Sequence, residues 1–311
     1  MGHFRSVITV ISLVLLITTT VAAQSTSAQS TSAQSGSDQS TSTGVTIPTE
    51  GQERFDELEE RAVDAQERGE YRDALFYYEQ LQEMAPDSGE IAYNRGTLQL
   101  AMARYDQALV LFARAEELGF HESRLYYNRG NAYFHRGDLA PAGEEYRMAL
   151  DIDPDDPASL NNLGIVEFRL GNYEAAEEYL QRAGEADRKY GEPFLHLAAM
   201  YETMGEEGFI ENTEDALDLA EDALGKAIAR DPAFVEAWYN RGFLRYGRGK
   251  YRAAFSDFLE AHRLQPADPD ILHNLGLSAL AAAEAIDRTD GADQTDGAIQ
   301  TDGDVREEAR R

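Results

Sequence analysis

Asparagine stands at residues 94, 128 and 162, each 34 residues after the last, and again at 240 and 274. One further step of 34 beyond Asn162 falls on His196, and the series resumes at Asn240 after an offset of ten residues. Gly96, Gly130, Gly164, Gly242 and Gly276 keep this register. So do Ala74, Ala108, Ala142, Ala176, Ala220 and Ala254, and Pro86, Pro154, Pro232 and Pro266 close four of the periods. A fixed period of this length means one structural unit restated along the chain, because a unit that cannot bury its apolar face alone must stack on its neighbours.

The 34-residue unit, with its Gly, Tyr, Ala, aromatic, Ala and terminal Pro, resembles the tetratricopeptide repeat. The stretch Ala237–Pro266 carries the pattern almost throughout, in Trp238, Gly242, Tyr251, Ala254, Phe258, Ala261 and Pro266. The resemblance covers about residues 55–285. It implies an all-α fold, a right-handed superhelical solenoid of helix-turn-helix repeats, in units 55–88, 89–122, 123–156, 157–190, 191–234 and 235–268. A capping helix at 269–286 completes the array. In such a pair the glycine at position eight and the alanine at position twenty let two backbones approach closely, and aromatic side chains fill the remaining space. The proline ends the second helix, since it lacks an N–H and clashes with the preceding turn.

Two units depart from the pattern. Unit 55–88 has Ala62 where glycine is expected, and as an acidic outer turn it is suited to an N-terminal cap. Unit 191–234 has Ala198 at the glycine position and carries extra residues at 206–215. Two readings of this insertion stand: a tolerated loop with an extended second helix, or a protruding contact element anchored by Phe209 and Ile210.

The ends have a different character. A short basic start, "MGHFR", precedes the apolar run "VITVISLVLLITTTVA", which is too short for a comfortable membrane span. Small residues then precede Gln24, so residues 1–23 are expected to be an export signal cleaved after Ala23, with an uncleaved anchor as the alternative. Residues 24–54 are rich in Ser, Thr and Gln, and cannot offset chain entropy by burial, so a disordered linker is expected. Residues 287–311 read as an acidic, Gly-rich disordered tail. The expected localisation is export, to a periplasm or cell surface.

Composition narrows the function. The chain has 311 residues, 57 acidic against 28 basic, a formal net charge of -29, and no cysteine. Its long-range field argues against nucleic acid and anionic membrane surfaces as partners. Without cysteine there is no disulfide framework, thiolate metal site or cysteine nucleophile. The six histidines have no metal-ligand spacing, and Walker, Rossmann and nucleophile-elbow motifs do not occur. The expectation is therefore a non-enzymatic chain with no cofactor, no metal and no small-molecule substrate.

What remains is the inner face of the array. The resemblance implies that positions two, five, six, nine, twelve and thirteen of each first helix line a concave groove. These positions supply the candidate peptide-binding residues Tyr93, Asn94, Arg124, Tyr127, Asn128, Asn131, Phe134, Asn162, Arg169, His196, Tyr239, Asn240, Phe243 and Asn274. An asparagine amide offers both donor and acceptor, so a ladder of them can pair with successive peptide units. The arrangement is similar to the ladder by which some repeat-containing glycosyltransferases hold extended peptides, and fold grammar is the competing account of the same residues. A clamp for acidic chaperone tails needs lysines at groove positions, where this chain has Glu90, Tyr93, Ala158 and Leu195. Arg95, Arg129 and Arg241 at position seven are expected to pair with second-helix carboxylates such as Glu145 or Asp257. The expected function is a protein-interaction adaptor of the cell envelope, gripping a peptide or helix of a protein partner. The alternative is an assembly subunit acting through its convex face or the 206–215 insertion.

Overall fold

A computed structural model describes residues 49–292, and side chains within 51–285. The expected export signal, and almost all of the linker and acidic tail, lie outside the described residues. Among the described residues there are thirteen helices and no strand. None of these helices is long and apolar enough to cross a membrane.

The chain divides into two compact units, one ending at Asn172 and the other beginning at Tyr173. In the first unit α1 (Thr49–Glu67) pairs with α2 (Tyr71–Met84), α3 (Gly89–Ala101) with α4 (Tyr105–Glu117), and α5 (Ser123–Arg136) with α6 (Leu139–Ile152). Helix α7 (Pro157–Arg169) then packs on α6. In the second unit α8 (Tyr173–Ala186) packs on α9 (Glu192–Glu207), which pairs with α10 (Thr213–Arg230). There α11 (Val235–Gly247) pairs with α12 (Tyr251–Leu264), and α13 (Pro269–Ala292) closes on α12. The division passes through the fourth expected repeat, whose first helix belongs to one unit and whose second belongs to the other. Within each unit the expected stack of helix pairs is what forms.

Local chemistry sets where helices begin. The Ser88 hydroxyl accepts from the Ile91 N–H, Asp156 accepts from the Ser159 N–H ahead of Pro157, and Asn212 accepts from the Glu214 N–H. Each satisfies one of the donors that the first helical turn leaves unpaired. Inside a pair, the glycine at position eight meets the ring at position twenty-four. A Cβ at Gly96 would lie 2.7 Å from the Phe112 ring, one at Gly130 2.7 Å from Tyr146, and one at Gly242 3.0 Å from Phe258. Phe112, Tyr146 and Phe258 are among the largest fully buried side chains. The glycines are thus seats for rings, and any larger residue would force the pair apart.

The position-seven arginines tie the layers. Arg129 pairs with Glu116 of α4 at 2.6 Å and with Glu145 of α6 at 2.8 Å, joining three helices, as the expected pairing with Glu145 requires. Arg241 pairs with Asp257 at 2.8 Å, and Asp257, 1% exposed, also receives Arg245 at 2.8 Å. Arg95 reaches Glu79 of the preceding pair at 3.5 Å, a looser contact. The insertion in the fifth repeat is spent mostly on helix: α9 runs on to Glu207, Gly208 caps it in the left-handed region at φ 80°, and α10 starts by Thr213.

The turn within a pair needs a left-handed residue, and Gly137 supplies it at φ 94°. The equivalent residue of the second repeat is Ala103, held at φ 55°. An L-residue with a Cβ pays about 1 kcal/mol in that region. Ala103→Gly is therefore expected to stabilise the chain by about 1 kcal/mol, read as a higher urea midpoint with unchanged helical circular dichroism.

Candidate functional site

In the first unit the inner-face side chains bond to one another across repeats. The Asn128 amide donates to the Tyr93 hydroxyl at 2.7 Å, linking α5 to α3. The Asn162 amide donates to the Asn131 carbonyl oxygen at 3.0 Å, and the Tyr146 hydroxyl donates to that same oxygen at 2.7 Å. Asn131 thus joins α7 to the α5–α6 pair through a buried acceptor. Burial holds the Tyr146 hydroxyl well above its usual range, so it stays a neutral donor.

Arg124 lies 4.9 Å from the centroids of both Tyr93 and Phe120, while Tyr93 and Phe120 stack at 4.8 Å. Its guanidinium pairs with Glu122 at 2.6 Å and Glu90 at 3.4 Å. At the other end Arg169 stands 4.5 Å from the Phe134 ring. His135 stacks on Tyr105 with centroids 5.6 Å apart, and its pKa is lowered by burial first and by Arg169 second. Burial also lowers the Arg169 pKa. A half-buried cation beside rings is suited to a carbonyl or carboxylate group of a ligand.

In the second unit the same device recurs. The Asn274 amide donates to the Tyr239 hydroxyl at 2.9 Å, the same 35-residue separation as Asn128 and Tyr93. It also donates to the Asp270 backbone carbonyl at 2.9 Å. Tyr239 meets Phe258 edge-on at 5.7 Å, and Tyr246 meets Tyr251 at 5.2 Å. Phe243 and Asn240 are half-buried on the same helix.

Four of the residues expected on an open surface are buried. Tyr93 is covered by Phe120 and Arg124, leaving its hydroxyl to Asn128, and Phe134 lies beneath Arg169. Asn131 is buried because it serves Tyr146 and Asn162. His196 falls within Pro193–Ala198 of α9, a run buried throughout. Tyr127, Asn128, Asn162, Arg124, Arg169, Tyr239 and Asn274 are half-buried, each with part of its surface in solvent. Asn94 and Asn240 are half-buried too, and among the described residues their side-chain amides make no hydrogen bond. The asparagine series therefore splits: Asn128, Asn162 and Asn274 spend a donor on the fold, and Asn94 and Asn240 spend none.

The insertion offers one exposed ring. Phe209 is 63% exposed, yet it also packs edge-on against Tyr173 at 4.7 Å. The Tyr173 hydroxyl donates to Glu207 at 2.5 Å. Glu202, at position twelve of the fifth repeat, escaped the sequence reading because a single glutamate on an acidic chain carries no signal. Its environment distinguishes it: burial first, and Glu206 second, push its carboxyl up to about 7.

Family profiles described as Tetratricopeptide repeat match residues 65–131, 121–188, 155–227 and 213–270. Among curated proteins, BBSome complex member BBS4 of Bos taurus is 28% identical over 209 residues, 67% of this chain and 38% of that protein. The match thus spans about two fifths of that relative's length. Tetratricopeptide repeat protein 8 of Caenorhabditis elegans is 34% identical over 105 residues, 33% of this chain and 21% of that one. Among solved structures, PilW, a widely conserved type IV pilus biogenesis factor, superposes with a TM-score of 0.59 at 18% identity, over 71% of this chain and 98% of PilW. A tetratricopeptide repeat protein from Parabacteroides merdae does so at 0.56 and 19% identity, over 83% and 98%. These structural likenesses show the fold.

The raised pKa of Glu202 has a signed consequence. Folding favours its protonated form, so its contribution to stability is complete below the usual value of 4.5 and is lost as pH rises through about 7. Glu202→Gln is expected to stabilise the chain at pH 8 by up to about 3 kcal/mol and to leave it nearly unchanged at pH 4. Urea unfolding at the two pH values checks this, and equal effects at both would contradict it.

Proposed function

The chain belongs to the tetratricopeptide repeat family, and from that premise we propose that it is a non-enzymatic adaptor of the cell envelope that holds an extended segment of a protein partner. Proteins of this family mediate protein–protein interactions, and the inner helix faces are where this chain has groups fitted to a peptide backbone. The N-terminal apolar run after a basic start supports export.

The observation that carries the reading is the open amide on each unit. A side-chain amide that makes no internal hydrogen bond can give one donor and accept with one carbonyl, which is what a peptide unit presents in reverse. Asn94 has the Arg124–Tyr93 stack on the following and same repeats, and Asn240 has Tyr239 and Phe243 on its own helix. Rings and amides held on helices lose little freedom on binding, so complementarity converts to affinity with small ordering cost. The tied rungs, Asn128 and Asn274, hold successive inner helices in register.

A second reading rests on Phe209. An exposed ring on the insertion is a handle for assembly into a larger complex, and its contact with Tyr173 fixes its position. The two readings separate in one experiment, in which wild-type chain captures its partner from envelope extract and variants are titrated with the partner recovered. Under the adaptor reading, Asn94→Ala with Asn240→Ala weakens binding by about tenfold or more, as expected for two lost hydrogen bonds of about 1 kcal/mol each, with the melting temperature unchanged. Phe209→Ser then leaves affinity intact. The reverse pattern would replace the groove by the insertion as the contact surface.

A further inference from the structure

Helix α13 bears the first-helix signature of a repeat, with Leu272 at position four, Asn274 at six and Gly276 at eight, but it continues to Ala292 without a turn. At Gly96, Gly130 and Gly242 the position-eight glycine is filled by a ring, whereas a Cβ at Gly276 would meet nothing within 4 Å. One side of α13 is buried through Ile271, Ser278, Ala279 and Ala282. The other side leaves Leu272, Leu277 and Leu280 exposed by 55%, 37% and 55%. From Leu272 to Ala283 the only ionisable side chain is His273, on a chain whose net charge is -29. A terminal cap facing water would carry charge on that side, as the outer faces of the other helices do.

We propose that this face of α13 pairs with the same face of a second copy of the chain, antiparallel, about a two-fold axis passing between Ser278 and Ala279. The register follows from the residues. His273, Leu277, Leu280 and Glu284 recur at intervals of four, three and four, the spacing that keeps one seam turned toward a partner helix. Leu277 and Leu280 lie equally far from the axis on opposite sides, so each meets the other in the second copy. His273 and Glu284 are likewise equidistant, so the imidazole of one copy faces the carboxylate of the other at both ends of the seam. Gly276 falls opposite Ala281, and two small residues beside the leucine layer let the backbones approach.

A second copy fits better than a foreign helix because the seam is complementary to itself in both charge and size, which is the requirement of an isologous contact. Between Leu272 and Ala283 two acidic copies can also meet without setting carboxylate against carboxylate. One helix pair is less than the roughly 1,200–2,000 Å² of a standard interface, so the dimer is reversible and depends on concentration. The proposal stands apart from peptide binding.

Sedimentation equilibrium of the purified full chain tests it. The wild type should pass from 34.6 kDa toward twice that mass as concentration rises, and Leu277→Glu with Leu280→Glu should remain monomeric with unchanged helical circular dichroism, since both leucines are exposed. Orientation is tested by cysteine pairs, because the chain has none of its own. His273→Cys mixed with Glu284→Cys should give a disulfide-linked dimer on oxidation. Neither variant alone should, since like positions stand roughly 16 Å apart along antiparallel helices. A wild type that sediments as monomer at every concentration, or cross-linking within each single variant instead of between them, would overturn the proposal.

Discussion

The contact on which three of the repeats depend is the seat of an aromatic ring on a glycine. With the Phe112, Tyr146 and Phe258 rings 2.7 to 3.0 Å from where a Cβ would stand on Gly96, Gly130 and Gly242, the two helices of a pair have one depth of approach and one rotation. That rotation decides which side of the first helix looks inward. Positions five, six and nine then line up from repeat to repeat, and the Tyr93–Asn128 and Tyr239–Asn274 bonds become possible at the same 35-residue separation. Where the ring seat is empty, at Gly276, the helix ends in an apolar face open to a partner.

Electrostatics is organised around the same frame. On this acidic chain several arginines lie between layers: Arg129 joins α4, α5 and α6, and Arg241 with Arg245 neutralises the buried Asp257. Breaking such a buried pair by removing one partner is costly because the remaining charge is left uncompensated. The arginines turned to the inner faces, Arg124 and Arg169, lie against aromatic rings. The inner faces therefore differ from the rest of the molecule in being built from rings, amides and a few cations.

The helix pairs were readable in the sequence because the repeat period, the glycine seats and the closing prolines are each enforced by sterics. The ion pairing of Arg129 and Arg241 was readable for a similar reason: an arginine at a packed position needs a carboxylate within reach. The inner-face residues were only partly readable. Position along a helix predicts the side a residue faces, and it does not predict what lies over it, so the burial of residues such as Tyr93 and Asn131 depended on neighbours such as Phe120 and Tyr146 that lie outside their own helix. The asparagines show the limit well. All five occupy the same position, yet a tyrosine or an amide one repeat earlier decides whether the side chain is tied.

In "YYNRG" at Tyr126–Gly130, then, Gly130 seats a ring, Arg129 joins three helices, and Asn128 ties two repeats, while the same letter at Asn94 and Asn240 is left open. The division between tied and open amides is the central claim, and side-chain hydrogen exchange in chain labelled with ¹⁵N-asparagine tests it most directly. The account predicts slowed carboxamide exchange at Asn128, Asn162 and Asn274, and exchange close to that of a solvated amide at Asn94 and Asn240. Uniform rates across the five, or protection at Asn94 and Asn240 instead, would contradict it.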